Sequence, residues 1–159
     1  MIFVLDVDGI LTSGNFFYSR EGKVLKEFGA DDFDALREIM NFIPVVFISA
    51  DIKGLPIHYK RIVEEMKWDF FTVSGEPKIR WDWMKKSFPN KKIIYMGDGI
   101  YDWYSLESCF FGITTKDALE HVKDVADFVT KRSGGNRAAA EACIHLMERF
   151  NFDWKKKYV

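Results

Sequence analysis

Ile2-Phe3-Val4-Leu5-Asp6-Val7-Asp8-Gly9 is an unbroken apolar run that ends in two carboxylates and a glycine. Ile2–Val7 reads as a strand, and the lack of alternation places it in a sheet buried on both faces. Pro44–Ser49 and Lys92–Met96 repeat the pattern as PVVFIS and KIIYM. Longer amphipathic stretches separate these strands. Asp31–Phe42 predicts a helix opened by acidic residues, Pro56–Trp68 a second, and Pro77–Phe88 a third with proline in its first turn. Asp69–Val73 reads as a strand. Tyr101–Ser108 and Asp117–Lys123 read as short helices, Phe110–Ile113 and Ala126–Val129 as short strands, and Arg137–Phe150 as the last helix after Ser133-Gly134-Gly135. Asn15–Ser19 and Val24–Phe28 flank Arg20-Glu21-Gly22-Lys23 and predict a protruding β-hairpin, a flap over about residues 10–29. The alternation predicts an α/β domain with a mostly parallel sheet. Right-handed crossovers put helices on both faces, giving three layers.

The 159 residues suit one domain, 1–159, with residues from about 131 onward as its C-terminal segment. A chain of this size buries roughly 70% of its unfolded surface and needs no disulfide or zinc. Hydrophobic residues make up 48%, which excludes disorder. A net charge of −1 argues against a nucleic-acid partner. No apolar run approaches the roughly 18 residues of a membrane span. The opening run reads as a strand rather than a signal peptide. Cys109 and Cys143 have no CxxC spacing and read as free thiols in a reducing cytoplasm.

In open parallel sheets, ligands bind beyond the carboxyl ends of the strands. Asp6 and Asp8 end the first strand, Ser49 ends the second parallel one, and Asp98 follows KIIYM. Carboxylates at the mouth of a buried strand are costly without compensation, and a hard cation such as Mg²⁺ supplies it. Asp98 adds a further carboxylate to that cation. Ser49 offers a hydroxyl to a phosphate, Gly9 a close backbone N–H, and Lys78 a positive charge. This set fits phosphoryl transfer. Asp6 is the expected nucleophile, forming an aspartyl phosphate, and Asp8 the acid and then base. Asp102 is expected to orient Lys78 or a metal-bound water. The expected substrate is a small phosphorylated molecule.

DVDGILT, Ser49, Lys78 and GDGIYD, in this order, resemble the haloacid dehalogenase superfamily of phosphatases, in its cap-less branch. The hairpin, EGKVLKEF and SGGNRAAAE resemble the octulosonate 8-phosphate and nonulosonate 9-phosphate phosphatases. The resemblance covers Ile2 to about Phe150. It implies a Rossmann-like core with a hairpin in place of a cap domain, Mg²⁺, and a homotetramer. It also implies that the hairpin packs between subunits and that a neighbour's C-terminal segment helps close the site. Asp6, the Asp8 carbonyl and Asp98 become metal ligands, with Ser49 and Lys78 binding phosphate.

The chain departs from that family at the substrate mouth. Ser49-Ala50-Asp51 stands where Thr-Gly-Arg is usual, and Phe28-Gly29-Ala30-Asp31-Asp32-Phe33 where FNVRDG is usual. Gly97-Asp98-Gly99 replaces GDD. Arg137 is a candidate substitute for a lost arginine. The reaction read from these residues is hydrolysis of a phosphorylated sugar acid. The alternatives are a catalytically silent protein of the same fold that binds or assembles, and a receiver-like phosphorylation switch. His58, His121 and His145 lack metal-ligand spacing and read as packing or surface residues. Asp31, Asp32 and Asp34 read as favouring a helix N-terminus, and Lys155-Lys156-Lys157 as a solvated end.

Overall fold

The computed structural model describes residues 1–156, so Lys157 of the basic run and the two residues after it lie outside the described residues. Six strands form one sheet: β1 (Ile2–Asp6), β4 (Val45–Ser49), β5 (Phe70–Thr72), β6 (Ile93–Met96), β7 (Phe111–Thr114) and β8 (Phe128–Val129). Their order is β5-β4-β1-β6-β7-β8, and every pairing is parallel. β1 is therefore central. The remaining strands, β2 (Phe17–Ser19) and β3 (Gly22–Leu25), form the separate antiparallel hairpin.

Successive side chains of a strand point to opposite faces, and this sorts the core. Phe3 and Leu5 face α1 (Ala30–Ile39) and α6 (Ala138–Arg149), packing with Leu36, Ile39, Ala142 and Leu146. Ile2 and Val4 face the other layer, with Met84 of α3 (Pro77–Ser87), Leu106 of α4 (Trp103–Ser108) and Val122 of α5 (Glu120–Lys123). Truncating a fully buried leucine such as Leu36 costs about 2–5 kcal/mol in cores of this kind.

Local chemistry sets the helix ends. Glu76 caps α3, its carboxylate accepting from the Lys78 and Ile79 N–H groups at 3.2 and 2.7 Å, with Pro77 next in line. Asp32 acts at a distance. Its buried carboxylate accepts from Arg137 N–H at 3.2 Å and Ala140 N–H at 2.9 Å, so an α1 residue caps α6 instead of its own helix. The stretch expected as one helix over 56–68 is α2 (Leu55–His58) continued by a wider π-helical segment, Tyr59–Glu65. Only Glu120–Lys123 of the expected helix 117–123 is helical.

Phe150, Phe152 and Trp154 pack back onto the α1–α6 core layer of their own chain, and Phe152 stacks on Phe42 at 4.9 Å. The C-terminal segment thus lies on its own domain as far as it is described. Cys109 and Cys143 are free thiols. No helix among the described residues is long and apolar enough to cross a membrane.

Candidate active site

Register brings the polar strand ends together. Asp6 lies beside Ile48, next to Ser49, and Leu5 lies beside Met96, two residues before Asp98. After β1 the chain turns sharply, the N–H groups of Ile10, Leu11 and Thr12 all pointing to the Val7 carbonyl at 3.3, 2.9 and 3.2 Å. Gly9 sits in that turn at φ +80°, and a Cβ there would lie 2.0 Å from Asp98 Oδ2. Glycine lets the turn press against the Asp98 carboxylate. The Gly9 N–H itself points to Thr12 Oγ1 at 3.4 Å.

Carboxylate oxygens of Asp6, Asp98 and Asp102 lie within 4.8 Å of one another. Arg80 is the cation that faces them. Its Nη1 is 2.6 Å from Asp102 Oδ1 and 3.5 Å from Asp6 Oδ1, and its Nε donates to the Ser74 carbonyl at 3.1 Å. Asp102 also accepts from Tyr95 Oη at 2.7 Å and Gly99 N–H at 2.9 Å. Asp102 therefore holds Arg80, where the sequence pointed to Lys78. Burial pushes Asp6 well above the ordinary carboxylate range; Asp102, Asp98 and Asp8 add to the rise, and Arg80 opposes it. Burial, with the charges of Asp102 and Asp117, raises Asp98 to about 7. Asp98 Oδ1 is buried with no hydrogen-bond partner among the described residues.

These features fit a hard divalent cation. Asp102 is already satisfied by Arg80, Tyr95 and Gly99, whereas Asp6 and Asp98 are crowded and under-compensated. Two carboxylates of that kind, one with an oxygen that has no partner among the described residues, are a donor set that such a cation accepts.

Asp8 lies in a second group. Lys26 Nζ is 2.7 and 2.9 Å from its two oxygens, His58 Nε2 is 3.5 Å away, and Thr12 Oγ1 donates at 3.4 Å. Burial would raise Asp8, but its contacts with His58 and Lys26 outweigh it and the net shift is downward. Asp51 joins the same group through Lys26, at 2.7 Å, and through Lys23.

Ser49 is buried at the end of β4, and its Oγ accepts from the Asp51 N–H at 3.0 Å. Lys78 stands outside the cluster: its side chain is 66% exposed and its ammonium pairs with Asp82 at 2.7 Å. Residues two apart on a helix are about 200° apart, so Lys78 and Arg80 cannot both face the sheet. Arg137 sits at the start of α6 at φ +70° and pairs with Asp31, its side chain 59% exposed, beside a cleft of about 250 Å³ lined by Gly29, Asp31 and Asn136. Arg80, Lys26, His58 and Tyr95 were not among the residues singled out from the sequence for the site.

No family model matches the chain. The curated 3-deoxy-D-manno-octulosonate 8-phosphate phosphatase of Haemophilus influenzae is 28% identical over 148 residues, spanning 91% of this chain and 81% of the relative. Its counterpart in Escherichia coli K12 is 25% identical over 147 residues, 92% of this chain and 78% of the relative. The cobalt-bound structure of the H. influenzae phosphatase matches with a TM-score of 0.84 and 25% identity, covering 96% of this chain and 92% of that one. The fold is that of the haloacid dehalogenase phosphatases. The Moraxella catarrhalis octulosonate phosphatase, solved with magnesium, phosphate and its sugar acid, agrees at a TM-score of 0.80 and 25% identity over 96% of this chain and 88% of that one. The haloacid dehalogenase resemblance read from DVDGILT and GDGIYD therefore holds in sequence and in fold. The enzyme class expected from the residues is the class for which these relatives are named.

Proposed function

We propose that the protein is a Mg²⁺-dependent phosphomonoesterase. It hydrolyses a small phosphorylated sugar acid, of the octulosonate 8-phosphate or nonulosonate 9-phosphate type, through an aspartyl phosphate on Asp6. The observation that carries this reading is the meeting of Asp6 and Asp98 at the end of the central strands. Asp98 is left there with a buried oxygen that has no partner among the described residues, and Arg80 is locked beside Asp6. The names of the relatives support the substrate class.

Each side chain then has a task. The Asp6 carboxylate attacks phosphorus, and the bond from phosphorus to the alcohol oxygen breaks. Asp8 delivers a proton to that oxygen and then takes one from the water that attacks the aspartyl phosphate. This step releases inorganic phosphate and restores the Asp6 carboxylate. Asp6, the Asp8 carbonyl and Asp98 would hold the cation, which draws charge from the transferring phosphoryl group when bound. Arg80 takes the role first assigned to Lys78, neutralising charge beside Asp6. Gly9 and Ser49 receive the phosphate, and Asp102 fixes Arg80. Arg137 lies at the rim, where it can meet the far end of a substrate.

The hairpin exposes Phe17, Tyr18 and Leu25, an apolar patch that assembly into a homotetramer would cover. Phosphate release from a panel of sugar-acid phosphates, with Mg²⁺ and with chelator, tests the proposal. Metal-dependent turnover of one member is expected. Folded, metal-loaded protein that turns over none would overturn the reading and favour a silent binding protein.

A further inference from the structure

The Lys26 side chain has 0% exposure although it carries a charge. A lysine ammonium is almost never stripped of water unless anions or acceptors surround it. Here three groups do, each from a different segment. Asp8 follows β1, Asp51 follows β4, and His58 ends α2. Lys26 Nζ lies 2.7 and 2.9 Å from the two Asp8 oxygens, 2.7 Å from Asp51 Oδ2 and 2.5 Å from His58 Nε2. An ammonium has three N–H donors and no acceptor, so Lys26 donates to all three groups, one N–H being shared between the two Asp8 oxygens. Contact with both Asp8 oxygens restrains the rotation of the carboxylate. Asp51 and His58 restrain Lys26 in turn. Asp51 is itself held, since its Oδ1 accepts from the Gly54 N–H at 3.1 Å and Lys23 binds its other oxygen.

Lys26 belongs to neither the sheet nor a helix. It follows β3 of the hairpin directly, and Phe28, two residues on, bridges back to Thr12 in the turn after β1. Lys23, also from β3, lies over the Phe16 ring at 3.5 Å. The hairpin thus reaches the site through two lysines, one of them in direct contact with the acid and base group.

We infer that Lys26 is the positioning residue of Asp8. The hairpin ammonium holds the carboxylate in the attitude from which it exchanges a proton with the leaving oxygen, and His58 and Asp51 hold the ammonium in place. This inference rests on the phosphatase reading of the site. It extends that reading to the hairpin, whose seating becomes a condition for proton transfer.

The leaving group provides the test. A sugar alcohol must be protonated as it departs, whereas p-nitrophenolate leaves without a proton. The ratio kcat/KM reports the steps through that departure. It is measured for wild type, Lys26→Gln and Lys26→Arg, with the best sugar-acid phosphate and with p-nitrophenyl phosphate. Lys26→Gln is expected to lose about 100-fold on the sugar phosphate and less than about fivefold on the aryl phosphate, the range of one misplaced general acid. Lys26→Arg, which keeps the charge, is expected to recover about tenfold. Equal losses on the two substrates, or no loss, would overturn the inference. If Lys26→Gln does not fold, Asp51→Asn carries the test, since it loosens Lys26 at a residue that makes no hydrogen bond to Asp8. It is expected to lose about tenfold on the sugar phosphate alone, and a loss shared by both substrates would overturn the inference. A folded, metal-loaded wild type that turns over neither substrate would remove the phosphatase reading itself.

Discussion

Lys78 and Arg80, two residues apart on α3, point to opposite sides of the helix: Lys78 to Asp82 and solvent, Arg80 to Asp102 and the nucleophile candidate Asp6. Their substitutions should therefore separate cleanly. Lys78→Ala should change kcat/KM by less than about threefold and leave the melting temperature unaltered, because solvent screens an exposed ion pair. Arg80→Ala should abolish most activity and destabilise the fold by about 3–5 kcal/mol, because it leaves buried carboxylates unpaired. Kinetics and thermal melts of the two variants check this. Equal effects would undo the assignment of Arg80.

Asp6 is crowded by three other carboxylates, and burial raises it well above the ordinary range. Asp6→Asn should remove turnover while making the metal-free protein more stable at pH 8, by about 1–3 kcal/mol, because a buried like-charge repulsion disappears. Denaturation in chelator reads the stability. A destabilised Asp6→Asn protein would contradict the crowded electrostatics described for the site.

The same crowding sets a pH dependence. Asp98 is raised from 3.8 to about 7 in the folded protein, and Asp6 is also raised. Between pH 4 and 7 the folded state then binds more protons than the unfolded one, so metal-free stability should fall as pH rises through that window. Asp8 and Asp51 are lowered and act oppositely, their contribution being lost below about pH 4. Mg²⁺ should raise the melting temperature more at pH 8 than at pH 5, where protons compete for the same oxygens. A magnesium shift that is larger at pH 5 would refute this account.

Gly9 leaves no room for a side chain beside Asp98. Gly9→Ala should displace the Asp98 carboxylate, weaken Mg²⁺ binding by tenfold or more, and lower stability by about 1–3 kcal/mol through the strained φ. Calorimetric titration with Mg²⁺ measures the first effect. Unchanged affinity would show that the turn does not shape the metal site.

Tyr18 and Leu25 are 62% and 63% exposed on the hairpin. If subunits cover this face, Tyr18→Glu with Leu25→Glu should reduce the mass seen by light scattering to that of one chain. An unaltered assembly would place the interface elsewhere.

β1, β4 and β6 were legible because strands buried on both faces read as continuous apolar runs, and the carboxyl-end rule then located Asp6, Ser49 and Asp98. Arg80 was legible in principle. Its neighbour one turn on is Met84, a core residue, whereas Lys78 is followed one turn on by Asp82. The polar composition of α3, with Lys78, Arg80, Lys85 and Lys86, hid that face. Lys26, Asp51 and His58 carry no mutual spacing signal, because Lys26 comes from the hairpin, Asp51 from just after β4 and His58 from α2, and only the folded chain brings the three to Asp8. Asp32 misled for a similar reason: its acidic neighbours suggest its own helix, but its partners lie more than a hundred residues away.

The central place of β1 has a consequence for biosynthesis. β1 precedes both of its sheet neighbours in the chain, so it has no partner in this sheet until Val45–Ser49 has emerged from the ribosome, and its other edge stays open until Ile93–Met96 follows. An apolar nascent strand with two bare edges is prone to mispairing. Hydrolytic competence can therefore arise only after Asp98 has left the exit tunnel, and until then the apolar β1 strand depends on staying unpaired with anything else.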